Sequence, residues 1–536
     1  DRKKAIHEAV MKLYTGDVLL VAGKGHEKTQ DYGRKKLYFS DHEVILKSIK
    51  LKNRFLSKNL KLNIIKEESK TKISNKTFLN NISINSKIIK KNDVFFAIKG
   101  KKVNGNKFIP EAFKKKSSLA IVNKVNYNCH SFKQIKVKDT LNFLTKCSSI
   151  FRENINAKII SITGSCGKTT LKEMIGFTLK KISKTTYSPK SFNNKYGVPL
   201  SLFNLKQNDE FGVFEVGMDK KGEIDNLTKI IKPDLGIITN ISYAHSKNFK
   251  NINQIADAKS EIMNNLKSDG TIILNRDDNF FTYLSNIALK KKLKVVSFGI
   301  KNKFSMVKLI KIKKLKMCYE LFINVNGLPI SFFSNNDNKS NLYNILATLA
   351  SINLYVDIKN LKKDIFLNFK TPDGRGDISK IKIKDKKIFL VDETYNSNPL
   401  SLKIAIENFD KIESKNSKKY LILSDMLELG KHSVKQHKLI SNILNKTKIN
   451  KVYVIGKYIK ETFKGLKENK NGKILNSKNK VRELVSKNLK NNDQLRIKGS
   501  NSTGLHRISN NLKQRSLYVI WIITKICWGF HFSECF

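Results

Sequence analysis

The sequence predicts an α/β protein of several domains, with a phosphate-binding parallel sheet at its centre and a second doubly wound sheet C-terminal to it. Three observations carry that expectation. Short apolar runs alternate with helical stretches over residues 156–350, the pattern of a parallel sheet. The same alternation resumes over residues 370–510. Between a strand and a helix at 163–170 lies a glycine-rich loop ending in Gly-Lys-Thr-Thr. Length agrees: at roughly 100–200 residues per domain, 536 residues predict about three or four domains.

Taken in order, residues 1–50 read as a small α/β piece in which the strand 17–22 runs into Gly23-Lys24-Gly25-His26-Glu27. Residues 50–70, rich in Lys, Asn and Ser, read as a polar linker. The runs 94–98 and 119–122 place a compact α/β domain over 71–155. In the central part, strands are expected at 159–162, 211–216, 235–239 and 271–274, with an amphipathic helix from Leu171 to Ile182. Strands near 388–392, 420–423, 452–455 and 495–497 build the second sheet. Residues 513–536 break in composition and suggest no fold; a read-through or frameshifted tail is the expectation there. The chain opens on Asp1 rather than Met, so a natural start upstream is expected, and no signal peptide is recognised.

The formal charge is +58, from 103 Lys and Arg against 45 Asp and Glu. Such a charge suits a nucleic-acid binder. Here the lysines are scattered along the whole chain, without aromatic interleaving or zinc-finger spacing, so a solvated basic surface is the preferred reading. With 40% hydrophobic residues the chain is not a disordered polycation. The six cysteines form no CxxC pair, which argues against a zinc knuckle and fits a reducing cytoplasm. The apolar run 517–524 is far short of the roughly 20 residues that span a bilayer.

Thr163-Gly164-Ser165-Cys166-Gly167-Lys168-Thr169-Thr170 is the strongest local signal. Glycines let backbone N–H groups approach phosphate oxygens, and the following helix adds its positive end. Lys168 is placed to neutralise the β- and γ-phosphates and Thr169 to ligate Mg²⁺. Cys166 reads as a small tolerated residue in preference to a nucleophile. Glu215 and His245 follow predicted strands, where ligands of parallel sheets bind, yet each alone is more often structural. Lys259, on a predicted helix, is a solvated lysine by default.

Together these residues resemble the Mur ligase family. The resemblance extends to Ser191–Pro199, to Glu215-Val216-Gly217-Met218 with Gly222-Glu223-Ile224, to Asp392–Pro399, to Asp425–Gly430 and to Lys498-Gly499-Ser500, covering about residues 65–512. The Tyr395-Asn396-Ser397-Asn398-Pro399 and Met426–Gly430 blocks are similar to the branch that adds D-alanyl-D-alanine. The resemblance implies three domains: a UDP-substrate domain at 65–155, a central ATPase at 156–355 and a C-terminal Rossmann-like domain at 370–512. It implies ligation through an acyl phosphate, with ATP and Mg²⁺ as cofactors. UDP-N-acetylmuramoyl-tripeptide and D-alanyl-D-alanine are the implied substrates, and the protein is expected to be a cytoplasmic monomer without nucleic acid or stable membrane insertion.

Residue by residue, it implies that Thr169 and Glu215 hold one Mg²⁺, and that His245 and a carbamylated Lys259 serve a second. Lys168, His245, Lys259 and Arg375 make the implied catalytic set. Gly164 to Thr170, Asn194 (phosphates), Asn275 (adenine), Arg375 and Asp392 make the nucleotide set. Tyr395, Asn396 and Asn398 lie where the third domain meets the reacting groups, and Ser86 lies in the UDP-substrate motif. The sequence departs from the family at Asn85-Ser86-Lys87, Asn104-Gly105-Asn106, Ser340 and Ser424, where Asp-Ser-Arg, Asp-Gly-His, a His and a Gly are usual. Replacing Arg by Lys loses planar bidentate recognition. Residues 1–45 resemble instead the C-terminal end of the preceding ligase, through Arg2–Ile6, Ala22–Glu27 and Phe39-Ser40-Asp41. There Glu27 would sit near the incoming amino acid. Without that enzyme's other domains this piece is not expected to act alone; it is a fusion remnant or a fragment of a bifunctional chain.

Two other readings compete. A related Mur-type or folylpolyglutamate-type ligase is opposed by the Tyr395–Pro399 block. A basic binding protein without catalysis is opposed by the intact set Lys168, Thr169, Glu215, His245, Lys259, Arg375 and Asp392.

Overall fold

The protein is described here by a computed structural model that covers residues 1–536 except 14–16, 25–26, 32, 34–35, 74–76, 78, 101–102, 384, 413–416 and 516–536. Gly25 and His26 of the N-terminal motif, the run 517–524, Cys527 and Cys535 therefore lie outside the described residues. Two compact units are present: residues 1–159 with 183–212, and residues 160–182 with 213–536.

In the first unit, the helix Arg2–Lys12 packs Ile6 and Val10 on Val44 of a long helix, Asp41–Ser69. Arg2 pairs with Asp41 at 2.6 Å across their N-terminal ends. Ser40 caps the long helix by accepting from the Glu43 N–H, with Asp41 and Glu43 favourably placed in its first turn. The 50–70 segment is thus helix rather than linker. Lysine is a good helix former, and Leu62, Ile64 and Ile65 supply a buried face. That face meets the helix Thr140–Glu153, with Glu68 paired to Lys146 at 2.5 Å. A second correction concerns the strand expected at 17–22. The segment is irregular, with Val18 and Leu20 almost fully exposed. Among the described residues, the nearby strands Thr29–Asp31 and Lys36–Tyr38 pair only with each other, and no ladder includes 17–22. A four-stranded parallel sheet follows, Ile82–Ser83, Val94–Phe96, Leu119–Val122 and Gln134–Lys136. Its middle strands are apolar and buried, as both faces of a parallel sheet require.

The second unit holds two sheets. The larger runs in the order Leu328–Ser334, Tyr319–Val325, Val307–Lys314, Lys294–Gly299, Thr271–Asn275, Leu235–Ile238, Lys158–Thr163, Phe211–Glu215. It is parallel from Lys158–Thr163 out to Val307–Lys314, and the last two strands return antiparallel. The expected strands are all present, as is the helix after the loop, at Lys168–Leu179. The smaller sheet has six strands in the order Asp377–Ile383, Lys386–Glu393, Gln494–Lys498, Lys419–Ser424, Lys451–Ile455, Asn471–Ile474, parallel after its first pair. Its two faces are covered by separate apolar clusters, one around Ile388, Ile422 and Leu495 and one around Phe409, Leu421 and Val454.

Ile65 is fully buried on the long helix, while Asn63 beside it is exposed. Ile65→Ala should therefore destabilise the first unit by about 2–5 kcal/mol, read as an earlier urea transition, and Asn63→Ala should leave it within about 0.5 kcal/mol. Equal, negligible effects would mean that this segment is a solvated linker after all.

Candidate active site

Strand Lys158–Thr163 ends at Gly164, and the helix Lys168–Leu179 starts after Gly167. Between them the chain makes the turn that the motif predicted. Gly164 has φ 142°, and a Cβ there would overlap the Thr239 hydroxyl on the neighbouring strand's end, so both conformation and space demand glycine. The loop is tied to residues 239–242. Ser165 N donates to Asn240 O at 2.9 Å, Cys166 N donates to Asn240 Oδ1 at 3.0 Å, and Thr239 Oγ1 donates to Cys166 O at 2.6 Å. Ser165 Oγ and Ser242 close a further pair. Asn240 was not foreseen; its position one residue past a parallel strand was the available signal.

Lys168 folds back to donate to Gly164 O at 2.8 Å. Burial lowers its pKa, and the nearby Glu215 carboxylate offsets part of that shift. Thr169 Oγ1 lies 2.5 Å from Glu215 Oε2, and both residues are buried. Lys259 is also buried, which overturns its default reading as a solvated lysine. No carboxylate or carbonyl partner for its Nζ is found among the described residues. Burial pushes its pKa well below the usual lysine value, and the Lys168 cation adds to the effect. Burial also pushes the Cys166 thiol up to about 11, so this cysteine is a thiol in the loop and not a thiolate nucleophile.

The smaller sheet sends residues to the same loop. Asn398 caps the helix Pro399–Lys411 through Ser401, and its Nδ2 donates to Ser165 O at 3.1 Å. The Arg375 guanidinium stacks 4.1 Å from the centre of the Tyr395 ring, and its charge is felt by Lys168. Lys498 reaches Glu393 at 3.1 Å and Asn396 O at 3.1 Å. Burial opposes ionisation of Glu393, but Lys498 and Arg496 outweigh it and hold the carboxyl below its usual range. Lys498 and Glu393 were missed as site residues, although Lys498 opens a quoted motif. The Asp392 carboxylate takes Lys513 at 2.8 Å and the Thr394 hydroxyl at 2.7 Å. Asn396 is exposed and accepts from the Ser397 N–H.

His245 sits beside two carboxylates, with Nδ1 3.1 Å from Asp219 Oδ1 and 2.5 Å from Glu428 Oε2. Neither oxygen lies on the line of the N–H, so the contact is ionic more than a straight hydrogen bond. Burial disfavours the imidazolium, but Asp219 and Glu428 outweigh it and the His245 pKa is raised. These three side chains are also able to converge on one metal ion.

Of the remaining predicted residues, Asn275 ends its strand and donates to Thr239 O at 3.3 Å, while accepting from the Asp277 N–H at 3.0 Å. Asn194 and Ser86 belong to the first unit. Asn194 accepts from the Tyr196 and Gly197 N–H groups at the start of the helix Gly197–Leu202. Ser86 is buried and donates to Glu111 at 2.7 Å. Two departures prove locally silent: Asn85 and Asn104 each accept from the N–H two residues on and open a short 3₁₀ turn, which asparagine does as well as aspartate. Ser424, where Gly is usual, faces Gly499, and a Cβ at 499 would overlap its hydroxyl. In place of the missing histidine, Ser340 starts the helix Lys339–Ile352, whose buried Asn344 lies against Gly167.

Residues 162–352 match the Mur ligase middle domain. The UDP-N-acetylmuramoyl-tripeptide–D-alanyl-D-alanine ligase of Buchnera aphidicola subsp. Acyrthosiphon pisum is 33% identical over 453 residues, covering 82% of this chain and 94% of its own. The enzyme of the same name from Rickettsia prowazekii is 31% identical, covering 81% and 96%. Among solved structures, MurF from Acinetobacter baumannii superposes with a TM-score of 0.73 at 24% identity, covering 84% of this chain and 98% of that one. MurF from Thermotoga maritima, solved with ADP, gives 0.69 at 24% identity, covering 81% and 97%. These two structures establish likeness of fold.

With its pKa near 11, roughly one Cys166 thiol in 3,000 is ionised at pH 7.5. Iodoacetamide labelling of Cys166 should be slow at that pH and rise about tenfold per pH unit toward 11, followed by peptide mass spectrometry. Cys166→Ala should keep nucleotide turnover within about threefold. Fast labelling at pH 7.5, with loss of turnover on substitution, would restore the nucleophile.

Proposed function

This chain belongs to the Mur ligase family, and on that premise we infer that it joins D-alanyl-D-alanine to UDP-N-acetylmuramoyl-tripeptide with hydrolysis of ATP to ADP and phosphate, a step of peptidoglycan precursor synthesis. The observation that carries the chemistry is the meeting of two sheets at one phosphate loop. Lys168 and the Thr169–Glu215 pair come from one side, and Asn398 and Arg375 from the other.

A carboxylate is a poor electrophile, and transfer of the γ-phosphoryl group of ATP makes it an acyl phosphate. The amine nitrogen of D-alanyl-D-alanine then attacks the carbonyl carbon, forming the C–N bond. The C–O bond to phosphate breaks and the amine gives up a proton. Loop N–H groups and Lys168 hold the phosphates and spread their charge through the transfer. The buried oxygens of Thr169 and Glu215 form the hard donor set that Mg²⁺ takes, and they fit such an ion. When bound, Mg²⁺ would supply charge neutralisation between nucleotide and carboxylate. Arg375, stacked on Tyr395, adds a planar cation, and contact between the sheets would keep water from the reactive mixed anhydride.

Lys259 suits the carbamate that the family resemblance implies. Only a neutral amine adds to CO₂, and burial lowers this lysine's pKa, which favours the neutral form. The new N–C bond releases one proton and leaves an anion, which with His245 would serve a second Mg²⁺. We assign residues 65–155 to UDP-substrate binding, with Ser86 in that role, and Asn194, Asn275 and Asp392 to the nucleotide. Tyr395, Asn396 and Asn398 are assigned to the reacting groups. Residues 156–355 form the ATPase segment and 370–512 the ligase segment. Among the described residues no helix is long and apolar enough to cross a membrane. We place the activity in the cytoplasm and in a monomer.

Phosphate release should require UDP-N-acetylmuramoyl-tripeptide and D-alanyl-D-alanine together, and Lys168→Ala should lower it at least about 100-fold. Release indifferent to the dipeptide would end the ligase reading. Activity measured after removal of dissolved CO₂ should fall and return on adding bicarbonate, whereas Lys259→Ala should be insensitive to bicarbonate. A wild-type enzyme indifferent to CO₂, with an unmodified Lys259 by mass spectrometry, would remove the carbamate.

A further inference from the structure

Two segments of the second unit meet within the electrostatic reach of Lys168. One is 243–249, which follows the strand Leu235–Ile238, and the other is 425–432, which follows Lys419–Ser424. Main-chain groups join them: Lys247 N donates to Glu428 O at 2.9 Å, and Ser246 Oγ donates to Leu429 O at 3.3 Å. Gly430 packs so near Lys247 that a Cβ there would lie 2.8 Å from its Cα. His245 and Glu428 face each other across this seam, and both hold left-handed backbone, with φ 54° and 67°. That conformation costs energy for any residue with a Cβ, and such positions concentrate where side-chain placement serves function. Asp219 closes the group from a third segment, its carbonyl accepting from Asn248 Nδ2 at 2.7 Å.

The ring nitrogen that meets the two carboxylates is Nδ1. An Nδ1 lone pair would repel oxygens at 2.5 and 3.1 Å, so Nδ1 carries the proton. In the neutral ring this leaves Nε2 as the acceptor. A histidine whose far nitrogen is held by a carboxylate is the usual arrangement behind a ligating imidazole, and losing that support typically costs 10–100-fold in metal affinity or activity.

We propose that Glu428, assisted by Asp219, is a positioning residue that fixes the tautomer and ring orientation of His245, so that docking of the 425–432 segment prepares His245 for the reaction. The idea rests on the reading that His245 serves the ligase site. Glu428 acts through His245, and its strained backbone is retained for the carboxylate it delivers.

The test uses Glu428→Gly and Glu428→Gln in the full chain. Glycine relieves the left-handed strain and keeps the seam, so Glu428→Gly should fold at least as well as the wild type. Its kcat for ligation should fall 10–100-fold, with KM for ATP and D-alanyl-D-alanine within about twofold. Glu428→Gln keeps an accepting oxygen and should stay within about threefold. In a His245→Ala background, Glu428→Gly should add nothing. Imidazole ¹⁵N spectra, recorded where the ring is neutral, should show His245 as the Nδ1–H tautomer in the wild type and move toward Nε2–H in Glu428→Gly. Unchanged kcat, an unchanged His245 signal, or a loss additive with His245→Ala overturns the proposal. Absence of ligation in the wild type would instead overturn the ligase reading, and the tautomer spectra would still decide the role of Glu428.

Discussion

A half-buried lysine cation beside a carboxylate at the end of a parallel sheet is what the rest of this structure must accommodate. Lys168 loses part of its hydration, and an ion so placed needs compensating charge and dipoles around it. Glu215 supplies the charge from the neighbouring strand, and the loop supplies the Gly164 carbonyl. That geometry requires strand ends to be adjacent, which the parallel order Leu235–Ile238, Lys158–Thr163, Phe211–Glu215 provides. It also requires the loop to pass tightly over Thr239, which is why residue 164 has no side chain. Burial disfavours the ammonium form of Lys259, and the field of the same cation adds to that effect.

Much of the central fold was legible because buried parallel strands leave an unmistakable trace, with Ile159, Ile160 and Ile162 apolar on both faces before a glycine loop. The loop residues and Glu215 were legible for the same reason: they sit at strand ends. What escaped was set by partners distant in sequence. Nothing local marks Lys259 as buried, since its burial comes from packing around the helix Ile252–Ser260. Asp392 pairs with Lys513, more than a hundred residues on, a partner that no local pattern announces. Val18 to Val21 has strand composition yet forms no strand, its Leu19 and Val21 packing on Ile6, Val10 and Val44 instead, whereas residues 50–70 look like a linker until their buried face finds the helix Thr140–Glu153. Local pattern reports propensity; contacts decide the outcome.

The departures from the family pattern divide along the same line. Asn85 and Asn104 replace aspartates where a side-chain oxygen has only to accept from a backbone N–H, and the turns survive. Ser424 is accommodated because Gly499 gives it room. Lys87 is different: where the family has Arg, a lysine lacks the planar fork of donors.

The helix Asp41–Ser69 has a mechanical consequence. At 1.5 Å per residue its 29 residues extend about 43 Å without a break. The Arg2–Lys12 helix is clamped to its beginning, and the helix Thr140–Glu153 packs against its later part. The join between the N-terminal piece and the four-stranded parallel sheet that follows is therefore a girder and not a tether. A rod of this kind transmits torque and bending from one end to the other, and it offers a protease no slack chain to enter. Whatever load the first forty residues bear is delivered to the following domain as a rigid displacement.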